Sequence, residues 1–156
     1  MRGAVRHGIC NRCTFIEAVQ SEVDSKSGRM TRILIVDDSA QVRMALRMCL
    51  RMNQDWIVCG EAENGRDAIE LASRVKPDVL LLDYAMPEMN GLDAARTLSV
   101  LVPECAILMF TTFATPQLSE LARAAGVRAV FSKDVNGISS VIEAIEAIAS
   151  ISAGHI

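Results

Sequence analysis

Four apolar runs in this 156-residue chain each end in a residue able to handle charge or protons. Ile33-Leu34-Ile35-Val36 runs into Asp37-Asp38, and Val79-Leu80-Leu81-Leu82 runs into Asp83. Ile107-Leu108-Met109-Phe110 runs into Thr111-Thr112, and Val130-Phe131-Ser132 runs into Lys133. Short apolar runs bounded by turn residues read as buried parallel strands. Open parallel sheets bind ligands beyond the carboxyl ends of their strands. One crevice would then gather three carboxylates, a hydroxyl and an ammonium, a set suited to a divalent cation plus a phosphoryl group.

The chemistry of each group supports that set. Adjacent carboxylates such as Asp37 and Asp38 repel unless a cation sits beside them, and Mg²⁺ takes oxygen ligands while keeping several waters. A helix N-cap with an acidic first turn also favours Asp at these positions, and a third carboxylate at Asp83 shifts the balance towards metal. A Thr after a strand is commonly a turn former, and a Lys is commonly a solvated charge. Together, Thr111 and Lys133 would complete a phosphoryl site, where oxygens need cations and donors as charge spreads in the transition state. An aspartate can itself act as nucleophile and form an acyl phosphate.

The elements that would position these groups alternate from Arg32 onward. Strands are expected over about 32–36, 56–61, 78–82, 105–110 and 128–132. Helices are expected from the Ser39 cap to about Met52, from Asn64-Gly65 to Val75, over 91–101, from Thr115-Pro116 to Gly126, and over 138–150. Ile138, Val141, Ile142, Ile145, Ile148 and Ala149 share one face of the last helix. Right-handed crossovers between five βα units place helices on both faces of a parallel sheet. On the first helix, Leu46 and Cys49 are expected to face the core, with Met44 and Met48 on the opposite side.

Composition narrows the function classes. Apolar residues make up 51% of the chain and charged residues 22%, ordinary for a globular domain. No run of about 18 apolar residues offers a membrane span, and no apolar stretch follows the first arginines as a secretory signal would. The chain carries five cysteines, an odd number that fits a reducing cytosol better than a disulfide framework. Cys49, Cys59 and Cys105 fall inside expected elements as small hydrophobes. Residues 1–29 carry a net charge of +2 and residues 30–156 a net of −5, with no basic stripe, which argues against direct nucleic-acid binding. Residues 1–30 show no clear pattern beyond a short helix over Thr14 to Val23 and are expected to be a poorly ordered extension. Met30-Thr31-Arg32 reads as a natural start. His7, Cys10 and Cys13 lack a fourth ligand for a metal site.

Ile33-Leu-Ile-Val-Asp-Asp-Ser39, Lys76-Pro-Asp-Val-Leu-Leu-Leu-Asp83, Met86-Pro-Glu-Met-Asn-Gly91 and Phe131-Ser-Lys-Asp134 together resemble the receiver domain of two-component response regulators. Lys133-Asp134, where many relatives have Lys-Pro, resembles the NarL/FixJ-like subfamily. The resemblance implies a doubly wound, flavodoxin-like (βα)5 fold with strand order 2-1-3-4-5, over a domain of residues 31–151. Residues 152–156 would form a tail or the start of a linker. It implies that Asp83 accepts a phosphoryl group from a sensor histidine kinase. Asp38 would ligate Mg²⁺ directly, Asp37 largely through water, and Asp83 and the Ala85 backbone carbonyl would complete the metal site. Thr111 and Lys133 would contact the phosphoryl oxygens. The implied partners are the kinase and either a downstream protein or an effector domain, in the cytoplasm, and a phosphorylation-dependent homodimer is allowed. One feature departs from the family: Val130 stands where an aromatic is usual. Ala85 and Phe113 fill the family's two variable places beside the attacking water, which predicts slow self-dephosphorylation.

Two other functions compete. A haloacid-dehalogenase-like phosphatase also uses Asp, Thr, Lys and Mg²⁺ but needs Asp-x-Asp, which neither Asp83-Tyr84-Ala85 nor Asp37-Asp38-Ser39-Ala40 supplies. A receiver fold retained as a phosphorylation-independent binding module would not need all five site residues.

Overall fold

The apolar runs become strands because both of their faces are covered. The structure, a computed structural model, describes residues 28–153. The chain divides at Met30/Thr31, and every element described here lies in the second unit. In chain order these are β1 (Thr31–Val36), α1 (Ala40–Leu50), β2 (Trp56–Ala62), α2 (Gly65–Val75), β3 (Val79–Leu82), α3 (Gly91–Leu101), β4 (Ala106–Thr111), α4 (Pro116–Ala124), β5 (Ala129–Ser132) and α5 (Gly137–Ala153). All strand pairs are parallel, in the order β2-β1-β3-β4-β5. This is the expected doubly wound sheet, and its order reverses between β1 and β3.

Alternation along each strand feeds two cores. Leu34 and Val36 of β1, with Leu80 and Leu82 of β3, pack on the side of α2, α3 and α4 with Ala68, Ala72, Ala95, Leu98 and Ala122. Ile33, Ile35, Val79 and Leu81 pack on the other side with Leu46 and Leu50 of α1 and Val141 and Ile145 of α5. Residues i and i+2 of a strand share a face, so each strand serves both layers.

Local signals fix where the helices start. The side chains of Ser39, Asn64, Asn90 and Thr115 accept the backbone N–H of Val42, Asp67, Asp93 and Leu118, respectively. Each satisfies an amide that the helix itself leaves unpaired. Pro116 follows Thr115 at a position where no backbone donor is needed. The sequence reading places that helix over 91–101 without naming Asn90 as its cap.

Several boundaries move. α1 ends at Leu50 rather than Met52, and α4 ends at Ala124 with Gly126 beyond it at φ +94°. α5 continues to Ala153, past the expected end near 150 and past the expected domain limit at 151. Cys105 lies in the turn before β4, outside any element. In the β1–β2 register, Ile33 faces Val58 and Leu34 faces Gly60, so Cys59 is an extra residue in β2. Cys49, Cys59 and Cys105 are free and half-buried. Burial pushes the Cys59 thiol up and the Cys105 thiol to about 12, so both stay protonated and serve as packing. Met44 and Met48 are exposed and Leu46 is buried, as the helical pattern predicts. The readings made for His7, Cys10, Cys13 and Thr14 to Val23 lie outside the described residues.

Lys76 closes α2 in the left-handed region at φ 49°, ψ 65°, just before Pro77. That conformation costs a residue with a Cβ about 1–2 kcal/mol, while a glycine gives back part of this through its greater unfolded-state freedom. Lys76→Gly is therefore expected to stabilise the domain by about 0.5–1 kcal/mol, seen as a higher urea midpoint with an unchanged m-value.

Candidate functional site

Neighbouring strands end at nearly the same height, so the residues that follow them meet above the sheet. Asp37 follows β1, where its amide donates to the Ala62 carbonyl at 3.1 Å. Asp83 follows β3, with its amide on the Val36 carbonyl at 2.9 Å. Thr111 ends β4, and Lys133 follows β5 with its amide on the Thr111 carbonyl at 2.9 Å. The ladder hydrogen bonds therefore continue one residue past the apolar runs and fix the backbone of each polar residue.

The side chains converge. One carboxylate oxygen from each of Asp37, Asp38 and Asp83 lies within 4.8 Å of the other two. Asp37 and Asp83 are buried and Asp38 is exposed. The Lys133 ammonium donates to Asp37 Oδ2 at 2.5 Å and sits 3.2 Å from Asp83 Oδ2. It also lies 5.9 Å from the centre of the Phe110 ring. Asp37 Oδ1 accepts the Ser39 amide at 2.9 Å, and Asp83 Oδ1 accepts the Tyr84 amide at 2.8 Å. Ser39, rather than either aspartate, caps α1. Asp38 is left facing solvent with no cap to make.

Burial pushes the Asp83 carboxyl above its ordinary range; the Lys133 charge pulls it down, and the Asp37 charge pushes it up again. Thr111 is fully buried, and its hydroxyl oxygen accepts the Phe113 amide at 3.2 Å, leaving its own hydrogen free to be donated. Phe113 is 56% exposed and Ala85 is also exposed. Val130 is half-buried against the α2–α3–α4 side of the core, in the place where the resemblance leads one to expect an aromatic.

The donor set fits a hard divalent cation. It offers carboxylate oxygens at close quarters, one of them open to solvent, and no sulfur or imidazole. Asp37, Asp38, Asp83, Thr111 and Lys133 are thus gathered at one end of the sheet, as their strand-end positions predict. The sequence reading gave no part to Arg43. Its Nη1 donates to the Asp37 carbonyl at 2.7 Å, and its guanidinium reaches Glu61 and Glu63 at 3.5 and 3.1 Å. An arginine in the first turn of a helix opposes the macrodipole, and that was the available signal. Gly91 also does more than begin a helix. Its amide donates to the Tyr84 carbonyl at 2.7 Å, and a Cβ there would stand 2.2 Å from the Asp83 carbonyl oxygen.

Comparison with known proteins gives a consistent match. The family model of the response regulator receiver domain matches residues 33–146. The chemotaxis protein CheY of Thermotoga maritima is 35% identical over 117 residues, which are 75% of this chain and 96% of CheY. A protein-glutamate methylesterase/protein-glutamine glutaminase of Pyrococcus abyssi is 43% identical over 83 residues, 53% of this chain but only 23% of that larger protein. The signal receiver domain of a NarL response regulator from Mycobacterium tuberculosis superposes with a TM-score of 0.72 at 27% identity, covering 78% of this chain and 98% of that domain.

Two stability measurements test this geometry. A carboxyl raised in the folded state favours folding below its ordinary value of 3.8 and loses that contribution as pH rises through the folded value. In chelator, Asp83→Asn is therefore expected to raise Tm at pH 7, with the gain shrinking as pH falls towards about 4. Gly91→Ala is expected to destabilise by about 1–3 kcal/mol, because backbone rather than a flexible side chain must move. Urea titration of the variant reads that loss.

Proposed function

This chain belongs to the response regulator receiver family, and from that premise we propose that it is a phosphorylation-activated signalling switch. The observation that carries this reading is the cluster of Asp37, Asp38 and Asp83 carboxylates beside the Lys133 ammonium. Asp83 is the phosphoacceptor. Its carboxylate oxygen attacks the phosphorus of a kinase phosphohistidine, an acyl phosphate forms and the phosphorus–nitrogen bond breaks.

Asp37, Asp38, Asp83 and the Ala85 backbone carbonyl would hold Mg²⁺. Bound there, the ion supplies positive charge that offsets both the carboxylates and the transferring group. Lys133, already 3.2 Å from Asp83 Oδ2, needs only a small displacement to pair with a phosphoryl oxygen on that residue. Thr111 can donate its free hydroxyl hydrogen to another, at the cost of a side-chain movement. Such a movement in a buried residue disturbs its packing and gives the domain two arrangements to report.

The NarL/FixJ-like placement is supported by Lys133-Asp134 and by the likeness to the NarL receiver domain. The proposed source of the phosphoryl group is the phosphohistidine of a sensor histidine kinase, with the protein in the cytoplasm. No helix among the described residues is long and apolar enough to cross a membrane. Output passes to a downstream protein or an effector domain, and the acidic domain does not itself bind nucleic acid.

Incubation with acetyl phosphate and Mg²⁺ is expected to add one phosphoryl group to the wild type and none to Asp83→Asn, as measured by intact mass. Full labelling of the variant would place the phosphoacceptor elsewhere. Excess chelator is expected to slow wild-type labelling by about two orders of magnitude or more, as loss of a principal charge-stabilising group does. An unchanged rate would remove the metal from the proposal.

A further inference from the structure

The carboxylate cluster depends on the peptide unit that joins Asp37 to Asp38, because its orientation sets where both side chains point. One side chain grips that unit directly. Arg43 Nη1 donates to the Asp37 carbonyl at 2.7 Å. Arg43 is itself tied down at both ends. Its backbone amide bonds the Ser39 carbonyl at 3.1 Å, closing the first turn of α1. Its guanidinium bonds Glu63 Oε1 at 3.1 Å and lies 3.5 Å from Glu61 Oε1. Its side chain is only 13% exposed.

Neutralising Glu61 does not explain the arrangement. Arg47 Nη1 already meets Glu61 Oε2 at 2.5 Å. Glu63 is largely exposed and has no need of a buried partner. The common feature of the Arg43 contacts is that they join three chain segments: the β1–α1 turn, the first turn of α1 and the end of β2. A planar guanidinium presents its donors in a fixed fork, so one group can hold a carbonyl and a carboxylate at a set angle.

We infer that Arg43 is a positioning residue that holds the Asp37–Asp38 peptide in the orientation required for divalent-cation binding, with Glu61 and Glu63 orienting Arg43 in turn. The inference rests on the metal-dependent reading of the site given above. Its sign separates it from a simple charge effect. A cation near a metal site disfavours the metal by repulsion, so removing the charge alone would tighten Mg²⁺ binding. Removing a positioning group loosens it.

The test is calorimetric titration of the 156-residue chain, freed of metal, with Mg²⁺, alongside thermal unfolding in chelator. Arg43→Met is expected to weaken Mg²⁺ binding about tenfold, the lower end of the cost of losing a supporting group at a metal site. Arg43→Lys is expected to weaken it several-fold despite keeping the charge, because one ammonium cannot reproduce the fork. Glu61→Gln with Glu63→Gln is expected to fall between the wild type and Arg43→Met. Unchanged or tighter binding in Arg43→Met, even with a lowered Tm, overturns the inference and leaves Arg43 a stabilising contact. Should Arg43→Met fail to fold, Arg43→Lys decides by the same criterion. Wild-type binding with unaffected variants overturns this inference alone, whereas absence of Mg²⁺ binding by the wild type overturns the metal-dependent reading with it.

Discussion

The central constraint on this structure is the mutual repulsion of three carboxylates whose oxygens lie within 4.8 Å of one another, two of the residues being buried. Such an arrangement is unfavourable for a protein on its own. Lys133 makes it tolerable by reaching from the end of β5 across β4 and β3 to Asp83 and Asp37. Its ammonium lies over the Phe110 ring and its side chain is 13% exposed, so the charge is partly desolvated and correspondingly effective. The sheet order brings the lysine and the aspartates to one rim, and the reversal of winding at β1/β3 keeps the rim between Asp37 and Asp83 clear of a crossover helix. Close, partly desolvated carboxylates at this rim cost stability that only the Lys133 ammonium offsets among the described side chains.

The path from site to surface is short. Asp37 is held by Ser39 and Arg43, both in the entry to α1, while Asp83 is held by Tyr84 and the close approach of Gly91 at the entry to α3. A change of charge between the two aspartates thus bears on the first turns of helices packed on opposite faces of the sheet. Along their lengths, α1 is buried through Leu46 and Leu50, and α3 through Leu92, Ala94, Ala95 and Leu98. Small adjustments therefore concentrate in the turns and do not dissipate through the core.

Much of this was legible in the residues. Strands buried on both faces carry unbroken apolar runs, so β1, β3 and β4 could be placed within a residue, and the polar residues ending them marked the site. Ser39, Asn64 and Thr115-Pro116 announced three helices through capping chemistry. The misses have physical causes. α5 outran its expected end because no glycine or proline follows its apolar face before the last turns. Arg43 carried only a weak local signal, its unfavourable place in the first turn of α1; its contacts join segments 6, 18 and 20 residues apart, and no local pattern encodes a distance across a fold. The strand-end positions placed Lys133 beside the aspartates, but not its direct pairing with both Asp37 and Asp83, which depends on the length and path of one side chain.

The extra residue at Cys59 has a consequence for how copies of the domain meet one another. Among the described residues β2 is an outer strand, with no strand paired along its other side. At Cys59 its backbone falls out of phase, because two residues on β2 span the distance of one on β1. A second strand laid along it would find matching partners for only three or four residues before the ladder failed. β5, the other outer strand, has just four residues, Ala129–Ser132. Among the described residues, neither margin of the sheet presents a long regular ladder for a second strand to extend.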